Sequence, residues 1–131
     1  MSVFISYSHK DTPFALSLNE HLAKWGYEVW IDTNKIASGE YWPDAIDRGL
    51  EEADVITGVM TEASMQSINV KNEWTWAFEY GKPLLLLRVR PCKISHHFIQ
   101  VNYIDFVENQ EAGYQLLKLS LIHISEPTRP Y

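Results

Sequence analysis

The polar side chains best placed to do chemistry cluster first at Ser6, Tyr7, Ser8 and Asp11, which end an apolar run beginning at Val3. Serine hydroxyls and backbone N–H groups behind a strand bond phosphate or ribose oxygens without a glycine-rich cradle, and neither a GxGxxG nor a Walker sequence is present. Two roles are open to Asp11: contact with a ligand, or capping of the following helix together with Thr12. Glu73 is an isolated carboxylate, with Trp76 three and Tyr80 seven residues further on, so a helix there would put all three on one face. An isolated glutamate is most often a solvated surface group. Aromatics at that spacing are either core or the wall of a ligand pocket. His9, His21, His96, His97 and His123 show no metal-ligand spacing with carboxylates or cysteine, so no metal site is expected. The single Cys92 has no evident base partner and cannot form an internal disulfide, which fits a reducing compartment and a cytoplasmic protein.

The elements that must position these groups follow from apolar spacing. Residues 3–7 read as a buried first strand. Thr12 offers an N-cap oxygen, Pro13 fits the first turn, and Phe14, Leu18, Leu22 and Trp25 recur at helical spacing until Gly26. Residues 27–32 form the second strand, and the polar segment after it a loop. Pro43 opens a second helix that turns Ile46, Leu50 and Ala53 inward, residues 54–60 form a third strand, and Val70, Trp74 and Ala77 mark a third helix closing near Gly81. Residues 83–89 are so apolar that this fourth strand must be covered on both faces. Residues 103–106 suit a short edge strand, and Glu111 to Leu119 a closing helix. Strands alternating with helices predict an α/β doubly wound parallel sheet with helices on both faces and a ligand crevice at the carboxyl ends of the strands. The loops after Tyr7, Asp32 and Met60 are expected to line it.

Composition narrows the function classes. In 131 residues, 46% are hydrophobic and 21% charged, which suits one globular domain. Eleven basic residues against seventeen acidic ones give a net charge of -6, with no basic stripe, so nucleic acid is not an expected partner. No apolar run approaches the roughly 18 residues that cross a bilayer, and no membrane partner is expected. The last residues, 119–131, continue no pattern, and Leu119 to Arg129 resembles the in-frame translation of a sequencing adapter. The expectation is therefore a domain over 1–118 followed by a non-native tail, with the true C-terminus, and any sensor or effector domain beyond Lys118, missing.

Four ordered segments resemble the TIR (Toll/interleukin-1 receptor) domain in its bacterial form. They are Val3-Phe-Ile-Ser-Tyr-Ser-His-Lys-Asp11; Gly26-Tyr-Glu-Val-Trp-Ile-Asp32 with Ile36 and Gly39; Ala53-Asp-Val; and Val70-Lys-Asn-Glu73 leading to Gly81-Lys82-Pro83. The resemblance covers about residues 2 to 106 and implies a flavodoxin-like sheet of about five parallel strands. It also implies NAD+ as substrate, not cofactor, with Glu73 as the single catalytic carboxylate that helps break the nicotinamide–ribose bond. Nicotinamide leaves as a neutral base from a ring that is already cationic, so no general acid is required. The resemblance makes Ser6, Tyr7, Ser8 and Asp11 dinucleotide contacts. It leaves Asp32 either to bond the adenosine ribose or to fix its loop, and Trp76 to wall the nicotinamide site or to pack. The segment from Thr33 to Trp42 resembles the BB loop, through which relatives stack on one another. Ile36, Gly39 and Trp42 are then interface residues, with Trp42 alternatively a buried anchor.

Two functions compete on this basis. The first is an NAD+ glycohydrolase or cyclase acting in bacterial immune signalling against phage. The second is a non-catalytic module that assembles with other TIR domains, favoured by Asn69 at a position where many active relatives carry tryptophan. A phosphoacceptor receiver shares the topology but needs an aspartate at the end of the third strand, where this chain has Met60-Thr61-Glu62. A nucleoside deoxyribosyltransferase would leave the segment 33–39 unexplained.

Overall fold

A computed structural model describes residues 1–31, 43–94, 98, 101 and 103–125. Five parallel strands form one sheet in the order β2-β1-β3-β4-β5. They are β1 (Ser2–Ser6), β2 (Glu28–Trp30), β3 (Val55–Met60), β4 (Leu84–Arg88) and β5 (Tyr103–Asp105). The expected α/β doubly wound sheet is the one observed. Strand β2 is shorter than expected: it is an edge strand that pairs with β1 alone, through Ser2 with Glu28, Val3 with Val29 and Phe4 with Trp30.

Alternation along the strands sorts the core into two layers. On one face Val3, Ile5, Val55, Val59 and Leu87 pack under α1 (Thr12–Lys24) and α5 (Gln110–Ser125). Helix α1 buries Ala15, Leu18 and Leu22, so Phe14 and Trp25 stand at the edges of its inner stripe and are half-buried. It ends where Gly26 adopts φ +94°, a left-handed conformation that glycine takes at little cost. The capping expectation is corrected: Thr12 lies inside the helix and donates its hydroxyl to the His9 carbonyl at 2.6 Å, and Asp11, at the N-cap, makes no side-chain cap bond.

On the other face Phe4 and Ile56 pack against α2 (Pro43–Glu52), through Ile46 and Leu50, and against the Ala53 that follows it. Met60 and Leu86 pack against α4 (Ile68–Glu79), through Val70 and Trp74. The rings of Phe4 and Trp30 stack 4.7 Å apart, an arrangement worth about 0.5–1.5 kcal/mol beyond area burial. Lys82 closes the α2 end: its ammonium donates to the carbonyls of Glu51 at 2.8 Å and Ala53 at 2.6 Å, two groups at the helix end. A short helix absent from the sequence reading, α3 (Glu62–Met65), follows β3.

The closing helix runs to Ser125 instead of Leu119. Tyr114, Leu117 and Leu121 are all buried at spacings of three and four, so the apolar residues beyond Lys118 do continue the helical pattern. A segment this apolar extends an amphipathic helix whatever its origin. Among the described residues no helix is long and apolar enough to cross a membrane.

Candidate active site

The carboxyl ends of β1 and β3 meet α4 at Glu73. Ser6 is the last residue of β1, and its ladder partner on β3 is Gly58, both on the face that α4 covers. A Cβ at Gly58 would lie 2.6 Å from the Trp74 indole, so the bare backbone there is what lets the indole lie against the sheet. From that seat the Trp74 indole N–H donates to Ser6 Oγ at 3.0 Å, and the Ser6 hydroxyl donates to Glu73 Oε1 at 2.6 Å. The carboxylate is held at the end of the sheet's first strand and is only 4% exposed.

Glu73 also borders a small cleft of about 140 Å³ between α4 and α2, with Ile46, Asp47, Leu50, Asn72 and Trp76 around it. The floor is apolar, an indole forms part of the wall, and Asp47 adds an exposed carboxylate at the rim. Trp76 is half-buried and lies beside Tyr80, ring centroids 5.1 Å apart, while Tyr80 itself is 71% exposed. The structure thus brings Glu73 and Trp76 to one cleft, as their i, i+3 spacing implied, and leaves Tyr80 outside it.

The loop behind β1 is placed differently from the expectation for its side chains. Tyr7 is 1% exposed and packs in the layer beneath α1 and α5, because the chain alternates faces and Ser6 takes the α4 side. Its side chain therefore faces away from the cleft. Ser8 caps the single 3-10 turn His9–Asp11, its Oγ accepting from the Lys10 N–H at 3.4 Å. Asp11 Oδ2 accepts from the Thr61 hydroxyl at 2.6 Å, a buried link between this loop and the end of β3. Each of these polar side chains has a partner inside the protein. Asp32, Ile36, Gly39 and Trp42 lie outside the described residues.

Four residues of the site escaped the sequence reading. Thr61 and Ser64 cap α3 reciprocally, Ser64 N–H to Thr61 Oγ1 at 3.2 Å and Thr61 N–H to Ser64 Oγ at 2.8 Å, which fixes the Thr61 hydroxyl that reaches Asp11. A threonine three residues before a serine, directly after an apolar strand, was the available signal. Asp47 and Asn72 sit one position from Ile46 and Glu73, at the margin of faces the periodicity had already defined.

Roomier hollows lie elsewhere among the described residues: one of about 510 Å³ separates α1 from α5 around His21, Trp25 and Tyr114, one of about 730 Å³ lies beside α3 and Cys92, and one of about 200 Å³ lies beside Trp30 and Gly49. The carboxylates that border them, Glu111, Glu62, Glu28 and Glu52, are exposed. A carboxylate withdrawn from water, not volume, distinguishes the Glu73 cleft.

Comparison with known proteins agrees with the architecture. The family model of the TIR domain matches residues 3–118. The crystal structure of the TIR domain of the Toll-related receptor TRR-2 from Hydra magnipapillata superposes with a TM-score of 0.79 at 14% identity, covering 95% of this chain and 98% of that one. The structure of the CMP N-glycosidase BcmB from Clostridium botulinum superposes with a TM-score of 0.64 at 22% identity, covering 92% and 99%. At these identities the two structures are similar in fold. No curated protein matches the sequence significantly. With a family match over nearly its whole length and the sheet order and helical layers described above, the chain belongs to the TIR domain family.

Proposed function

We propose that this TIR domain cleaves the N-glycosidic bond between nicotinamide and ribose of NAD+, with Glu73 as the catalytic carboxylate. The observation that carries the reading is the burial of Glu73 at the carboxyl end of β1, beside a cleft with an apolar floor and an indole wall. When the C1′–N1 bond breaks, its electron pair passes to the pyridinium nitrogen and nicotinamide departs neutral. Positive charge then builds on the ribosyl carbon and ring oxygen. A fixed carboxylate in a site poor in water stabilises that charge without solvent reorganisation, and no second acid is required because the leaving group takes up no proton.

The cleft volume of about 140 Å³ is below the roughly 300–1,000 Å³ that encloses a whole ligand, so it accommodates one ring while the rest of the dinucleotide lies outside. Two carboxylates and the Trp76 ring around it suit a cationic ring. The CMP N-glycosidase of similar fold supports nucleotide N-glycoside cleavage as a class for this scaffold. Cytosine, however, leaves an uncharged ring and calls for a proton donor. Water as acceptor yields ADP-ribose, and an adenine or ribose atom of the same molecule yields a cyclic isomer. In this reading the product serves bacterial immune signalling, and stacking of TIR domains through Ile36, Gly39 and Trp42 completes the site.

Incubating the protein separately with NAD+ and with CMP, and following released nicotinamide and cytosine, tests the reading. Nicotinamide without cytosine is expected. The second reading, a TIR–TIR interaction module without catalysis, is favoured by the exposed Asn69 and by Ile68, Phe78 and Tyr80, large apolar side chains on and just after α4 that stand in solvent. Release of neither base under assembling conditions would select it.

A further inference from the structure

Ser6 stands between two successive residues of α4, and the direction of its hydrogen bonds is fixed by chemistry. An indole N–H is a donor only, so at the Trp74–Ser6 contact of 3.0 Å the hydroxyl oxygen must accept. A carboxylate is an acceptor only, so at the Ser6–Glu73 contact of 2.6 Å the hydroxyl must donate. The indole thereby occupies the hydroxyl's acceptor side and leaves its proton directed at Glu73. A short O–H···O⁻ bond of this kind is charge-assisted, and a preceding donor polarises it further. All three side chains are buried: Trp74 is 0%, Ser6 1% and Glu73 4% exposed. The indole in turn is seated on Gly58, where any side chain would displace it.

We infer that Ser6 and Trp74 are positioning residues that act through Glu73, an indole-to-hydroxyl-to-carboxylate relay that holds the carboxylate in one orientation at the mouth of the cleft. Ser6 is not a ligand of the dinucleotide phosphates in this account, because its proton is committed to Glu73. The inference rests on the reading of Glu73 as the catalytic carboxylate, and it makes a geometric claim that stands without turnover.

Steady-state kinetics on NAD+ and a spectroscopic measurement test it together, with folding of each variant checked by circular dichroism. Ser6→Ala is expected to lower kcat about tenfold or more, with KM within about twofold, the effect of losing one hydrogen bond to a charged group. Ser6→Thr, which keeps the hydroxyl, restores most of the rate. Trp74→Phe lowers kcat in the same direction, and the double variant is no slower than Ser6→Ala alone, because both act along one chain of bonds. A raised KM at unchanged kcat in Ser6→Ala, or rate losses that multiply in the double variant, would overturn the relay. In the ¹H–¹⁵N spectrum, Glu73→Gln is expected to move the Trp74 indole N–H resonance when Ser6 is present and to move it markedly less in the Ser6→Ala background. An equal displacement in both backgrounds overturns the relay. Because this readout needs no catalysis, a wild-type protein that releases no nicotinamide refutes the proposed reaction and leaves the relay decided by the spectrum.

Discussion

The hydroxyl of Thr61 donates to the carboxylate of Asp11 across 2.6 Å, with both residues buried, and so ties the end of β3 to the loop that leaves β1. Fifty residues apart in sequence, they lock together the two strand ends between which Ser6 and Glu73 meet. Thr61→Val removes this donor and the cap of α3 at once, and should cost about 2 kcal/mol. Thr61→Ser keeps both interactions and should cost well under half as much. Urea unfolding monitored by circular dichroism checks the pair; equal midpoints for the two variants would show that the hydroxyl contributes nothing.

Gly58 is expected to tolerate no side chain. Its alanine variant would place a methyl 2.6 Å from the Trp74 indole and 2.9 Å from Leu86, in a core layer with no slack. Overpacking of this kind costs about 1–3 kcal/mol, and the displaced indole loses its contact with Ser6. Gly58→Ala should therefore lower both the unfolding midpoint and any nicotinamide release. Gly26→Ala should cost stability alone, since its strain lies at the far end of α1.

Tyr114 gives the fold an alkaline limit. Burial raises its phenol above the ordinary value of 10.0; the hydrogen bond with Ser17 opposes that shift and the charge of Glu20 adds to it. Above pH 10 the unfolded chain releases this proton while the folded chain retains it, so the native state is progressively disfavoured. The stability associated with Tyr114 is complete below pH 10 and is lost as pH rises through the folded value, with a slope of at most about 1.4 kcal/mol per pH unit. Denaturant titrations between pH 9 and 11 should show a shallower loss for Tyr114→Phe than for wild type. Identical slopes would contradict the assignment.

The sequence made the layers legible because they depend on period. The inward sets Ile46–Leu50–Ala53 and Val70–Trp74–Ala77 are buried as their spacing required, and the strands were marked by apolar runs. Strand ends were less legible: β2 stops at Trp30 because it has a neighbour on one side only. Glu73 reached the candidate site through resemblance, although its place three residues after Val70 and four before Ala77 puts it on the inward stripe of α4; its residue type is what reads as a surface group. A serine 67 positions earlier donates to its carboxylate, and no local pattern announces a contact of that range. Alternation along the end of β1 sends Tyr7 into one core layer and Ser6 towards Glu73 in the other, a separation that a run of consecutive polar residues does not display.

Nicotinamide release by Glu73→Gln measured beside wild type, at concentrations high enough for self-association, bears most directly on the central claim. The amide keeps the shape of the side chain and removes its charge. The account predicts steady release by wild type and a loss of about 10²–10³-fold or more in the variant with its fold intact. A variant that releases nicotinamide at the wild-type rate, or a wild type that releases none, would contradict it.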